Sequence, residues 1–138
     1  MWADTLLHWE TQAVMRLLLW STLSVAAGGA LLVVVRRKPP RLLRHFAIQT
    51  TVCGFAEACV AAAWWRTLHL RDATGAAQLS SRLSLVTAIV VGVALAGVVL
   101  GAQSWSARRL PVIGAAVGVV VQALAILALD AQLLAKLG

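Results

Sequence analysis

The chain has 138 residues, of which 61% are hydrophobic and only 12% charged, and its mean hydropathy is +0.87. A soluble domain carries about 25% charged residues, so there is too little polar surface here to cover a globule, and the length leaves no room for a separate soluble catalytic module. The net charge of +7 does not point to nucleic acid, because five of the twelve basic residues, Arg36, Arg37, Lys38, Arg41 and Arg44, lie wedged between two apolar runs.

In chain order, residues 2–13 read as a short interfacial helix, with Asp4 as its N-cap and Trp2, Leu6, Trp9 and Ala13 at helical spacing. Asp4 and Glu10 precede the first basic residue, Arg16, so a cleaved signal peptide is not expected. Four uncharged or nearly uncharged stretches follow: Leu17–Val35, His45–Trp65 (broken only by Glu57), Leu83–Ala107 and Leu110–Leu129. Each matches the roughly 20 residues that cross a hydrocarbon core. They predict transmembrane helices over about 14–35, 45–65, 83–106 and 110–130. The valine- and leucine-rich runs lack the alternation of a barrel strand, and the connectors are short, with Arg108–Arg109 forming a tight turn before Pro111. The expected architecture is therefore all-α: a single membrane domain, 1–138, folded as an up-down-up-down four-helix bundle.

Lysine and arginine alone set orientation. Arg36, Arg37, Lys38, Arg41, Arg44, Arg108 and Arg109 fall on one side, against Arg16, Arg66, Arg71, Arg82 and Lys136 on the other. The basic connector is expected in the cytoplasm, where it also attracts anionic lipid, and both termini outside it. Trp20, Trp64, Trp65 and Trp105 lie near the predicted span ends and read as an aromatic belt.

Within lipid, helices associate through close packing at small residues. Gly97 and Gly101 on the third span form one GxxxG pair, and Gly114 and Gly118 on the fourth form another. Ser21, Ser24 and Gly28 share a face of the first span.

On the second span His45, Gln49, Cys53 and Glu57 recur every four residues. An acid in hydrocarbon is costly and faces the bundle interior. Counted as the thirteenth residue of its span, Glu57 shares a depth with Gln122, the thirteenth of the fourth, and Ser24 arrives at a comparable level. The expected buried polar cluster is therefore Glu57, Gln122, Ser24, Gln49 and Cys53, with Glu57 hydrogen-bonded to Gln122 or Ser24. It fixes helix register, or it serves a proton-coupled transporter or channel; no second intramembrane charge is read that could relay protons. Cys53 and Cys59 lie about 120° apart around one helix and cannot bridge. His8, His45 and His69 read as interfacial side chains, and no metal motif, paired carboxylates or nucleophile elbow is present. No enzyme, cofactor or nucleic-acid partner is expected.

The run RHFAIQTTVCGFAEACVA, the pair Arg82–Leu83, and GAAVGVVVQALAILALD with Gly114, Gly118, Gln122 and Asp130 together resemble a family of small bacterial four-helix integral membrane proteins of unknown function. The likeness covers roughly Arg44 to Leu137 and departs at Val52-Cys53-Gly54. It implies the bundle fold and a bacterial inner membrane, and no activity. The sequence thus favours a non-enzymatic accessory subunit of a larger membrane complex, in contact with lipid and with other subunits or itself, with a small carrier built around Glu57 as the alternative.

Overall fold

A computed structural model describes residues 2–37 and 40–137. Four helices follow one another, α1 (Trp2–Val35), α2 (Arg41–Arg66), α3 (Ala73–Ser106) and α4 (Leu110–Leu137), with no strand among the described residues. All four are long and apolar enough to cross a membrane, and short connectors make chain neighbours antiparallel. This is the all-α membrane bundle that the apolar runs predict.

Four boundaries differ from the sequence reading: α3 starts at Ala73 and not near residue 83, α4 runs to Leu137 and does not end near residue 130, and the other two lie at the starts of α1 and α2. Residues 2–13 do not form a separate interfacial helix: they continue directly into the first span, so Asp4 lies in the first turn of α1 rather than at its N-cap, where its charge still opposes the helix dipole favourably. The reason is visible along the buried stripe Leu6, Glu10, Val14, Ser21, Ser24 and Gly28, which keeps one face inward across the expected break. In its turn α2 starts at Arg41, directly after Pro40, and not at His45. Arg36 and Arg37 form the turn, Arg41 and Arg44 the first turn of α2, and Lys38 lies outside the described residues.

The other ends are set by local chemistry. Asp72 caps α3, its carboxylate accepting 2.8 Å hydrogen bonds from the Gly75 N–H and the Thr74 hydroxyl. The Gly75 N–H, followed by Thr74, holds that carboxyl below the usual aspartate range. Between α3 and α4, Arg108 turns the chain with φ of 54°, a left-handed conformation uncommon for a residue other than glycine, and Pro111 sits in the first turn of α4, as the sequence suggests.

The helices do not pack evenly. α2 lies between α1 and α4, α1 also touches α4, and α3 leans on α4 with almost no backbone approach to α1 or α2. Toward the basic connector the contacts run through small residues. A Cβ added to Gly28 would fall on Thr51, one on Gly54 on Ser24, one on Gly114 on the Leu42 carbonyl, and one on Gly118 would lie 3.1 Å from Gln49. Both glycines of α4 therefore face α2. The α3 pair faces α4: a Cβ on Gly97 would lie 3.0 Å from Val120, and one on Gly101 3.4 Å from Ala116. At the opposite end, which holds the termini, large side chains meet instead. Leu6, Ala76, Leu79, Leu83 and Leu133 form a core there, with Trp9 and Trp64 packed against it.

Candidate functional site

The expected polar cluster separates into parts. Gln122 and Ser24 do meet: Gln122 Nε2 donates to Ser24 Oγ at 3.1 Å, and Trp20 Nε1 donates to Gln122 Oε1 at 2.7 Å. Trp20 is thus a half-buried donor to Gln122 from the middle of α1. Gln49 bonds to Cys53 one turn further along its own helix, at 3.1 Å. Glu57 makes no hydrogen bond to Gln122 or Ser24. Because α2 starts four residues earlier than His45, Glu57 stands about 24 Å along its helix, whereas Gln122 stands about 18 Å along α4. That one-turn offset carries the acid past the polar level it was expected to share.

Glu57 lies instead on the wall of a cavity of about 560 Å³ lined by residues of all four helices. Its side chain is buried, and Oε2 has no hydrogen-bond partner. The walls are mainly apolar, drawn from residues such as Leu17, Val60, Leu83, Val86 and Leu129, and three further charged groups reach it: Asp130 from α4, Arg82 from α3, and Arg71 from the α2–α3 connector. Asp130 is buried, with Oδ2 accepting a 3.3 Å hydrogen bond from Thr87. The bundle therefore holds two interior acids on one cavity, which corrects the expectation of a single intramembrane charge. α4 runs on to Leu137, so Asp130 lies about two turns inside the end of its helix.

The end of the cavity nearest the termini is closed by a polar strap that sequence reasoning missed. Glu10 is fully buried and accepts both a bidentate pair of hydrogen bonds from Arg71, at 2.9 and 3.0 Å, and one from Trp64 Nε1 at 2.7 Å. The Glu10 hydrogen bond raises the Arg71 guanidinium above its ordinary pKa. The available signal was position: Glu10 lies on the inward stripe of α1, between Leu6 and Val14, where a carboxylate requires a cation. Two further links tie α1 to the end of α4, the Arg16–Gln132 hydrogen bond and Lys136 over the Trp9 ring.

Cys53 and Cys59 are free thiols. No group of three or more His, Cys, Asp or Glu among the described residues is placed to hold a metal ion. His8 pairs with Gln12 one turn on, and His69 with the Thr67 carbonyl. No known protein family, curated protein or solved structure matches the chain.

Proposed function

We propose that this multi-pass membrane protein is a small, non-enzymatic carrier in which Glu57 binds a proton or a cationic solute, one at a time. The observation that carries this reading is the buried Glu57 Oε2, an acceptor with no donor on the wall of a cavity large enough for a small molecule. Buried polar atoms in native proteins are nearly always paired, so an incompletely paired carboxylate on a cavity-lining side chain suits an exchangeable occupant. The charged groups around it leave that role open. Arg71 is taken by Glu10, Asp130 is a second acid, and Arg82 is the remaining cation on the cavity among the described residues; Cys53, one turn away on α2, is held by Gln49. The basic connector supports an orientation in which it faces the cytoplasm and the cavity lies in the opposite half of the membrane.

The test is uptake of radiolabelled guanidinium, an N–H donor that cannot cross lipid as a neutral base, into proteoliposomes with an acidic lumen. Uptake should exceed that of protein-free liposomes, collapse when the pH gradient is dissipated, and be lost in Glu57→Gln. Equal uptake by the Glu57→Gln protein would overturn the proposal.

The accessory-subunit reading rests on a different observation. A groove of about 390 Å³ between α3 and α4 is lined by Gly97, Gly101, Ala116 and Val117, with Trp105 exposed beside it, a surface of the kind that admits another helix. A subunit acting through that groove would be indifferent to Glu57→Gln, so one variant separates the two readings.

A further inference from the structure

The cavity has a side as well as an end. Because α2 and α3 scarcely approach one another, the space between them opens laterally, and the residues that face the gap, Ala56, Val60 and Ala63 on α2 and Val86 on α3, are exposed and apolar. Counted from the end of α2 at Arg66, Ala63 lies within the last turn, Val60 about 9 Å in and Ala56 about 15 Å in, so the gap runs from that end into the apolar stretch of the helix. A solute arriving by this route comes from the bilayer and needs an apolar portion to match the walls.

Its head is selected by the carboxylates. An anionic head would meet Arg82 but would set a like charge against Glu57 and Asp130 in a poorly solvated space. A quaternary ammonium has no N–H and would leave the Glu57 carboxylate without a donor. Such cations are recognised by aromatic faces, whereas Trp64 is the one aromatic side chain on this cavity and its indole N–H is committed to Glu10. A neutral alcohol supplies a donor but no charge. A protonated amine on an alkyl chain supplies the charge, the N–H donors and the apolar body together.

We propose, on the reading of the cavity as a binding site, that its occupant is a lipophilic amine that slides in from the bilayer between α2 and α3 and donates hydrogen bonds from its ammonium to Glu57. The alkyl chain lies along Val60, Val86 and Leu83, and Asp130 faces the same head from α4.

The experiment is equilibrium binding of radiolabelled octylamine to the full chain in nanodiscs, corrected for empty nanodiscs, with octyltrimethylammonium and octanol as competitors. Saturable binding of one octylamine per chain is expected, with octyltrimethylammonium weaker as a competitor by about tenfold or more, as loss of a charged hydrogen bond requires. Octanol should be weaker still. Glu57→Gln should reduce octylamine affinity by a similar factor while keeping its thermal transition, and if that variant does not fold, the competitor series on the unaltered chain decides alone. Absence of saturable binding, or equal competition by octyltrimethylammonium, overturns the inference. Octylamine binding without guanidinium flux removes the carrier and keeps the site; guanidinium flux without octylamine binding removes the lipophilic amine and keeps the carrier.

Discussion

The half of the bundle beside the basic connector and the half that holds the termini join the same helices by opposite means. In the first, glycines bring backbones so close that an added methyl would strike a neighbouring carbonyl or side chain at Gly28, Gly54 and Gly114, and the polar groups there, Ser24, Gln122 and Trp20, satisfy one another. In the second, leucines and tryptophans meet at the rim and hold the helices apart, and the space beneath them contains a carboxylate with an unmet oxygen. Small residues close a membrane bundle; large residues at one end keep a chamber open inside it. The site exists because the chain changes packing rule half-way along.

Substitutions that exchange the rules between halves should have graded effects. The largest is expected for Gly114→Leu, whose Cβ would fall on the Leu42 carbonyl. Backbone cannot step aside as a side chain can, so the cost should exceed the roughly 1–3 kcal/mol typical of overpacking, seen as loss of the monodisperse peak in detergent or a steep fall in melting temperature. A stability close to that of the unaltered chain would show that α4 does not depend on this approach.

Next in size is Arg71→Ala, which leaves the fully buried Glu10 with Trp64 as its remaining donor. Removing one partner of a buried pair typically costs about 3–5 kcal/mol, and the lower end is expected because Arg71 retains 13% exposure. Denaturation in detergent measures it, and the double variant with Glu10→Gln should recover part of the loss. Failure of that rescue would mean that Arg71 stabilises through contacts other than the ion pair.

The smallest effect is expected for Ala63→Leu, on the cavity wall. Three added carbons enter open space, so stability should change by no more than about 0.5 kcal/mol, while octylamine binding weakens because the chamber narrows. A large destabilisation would mean that this half is as tightly filled as the other.

The architecture was legible because run length in lipid is set by bilayer thickness, and the four apolar stretches carry that length on their face. The tight half was legible for the same reason that it is tight: Gly97, Gly101, Gly114 and Gly118 announce close approach by their spacing. The site was not, because depth along a helix was counted from the first uncharged residue. Arg41 and Arg44 belong to α2 although their charge excludes them from its apolar run, and that single turn moved Glu57 away from Gln122. Trp20 was misread through the same kind of count, since α1 starts at Trp2 and places it mid-helix. Glu10 and Asp130 were hidden differently: Glu10 lies outside the first apolar window, beyond Arg16, and Asp130 ends the last one by its charge, while the groups that make them tolerable inside, Arg71 and Thr87, come from elsewhere in the chain.

The Glu10–Arg71 pair also orders events in time. The two residues are separated by 61 positions, with the whole of α2 between them, so Arg71 does not exist when α1 emerges from the ribosome. Until the second span is complete, Glu10 has no cation to neutralise it and its stretch of α1 is best left in water. α1 is therefore synthesised well before its polar contact is complete, and its outer turns dock only when the α2–α3 connector brings the arginine across.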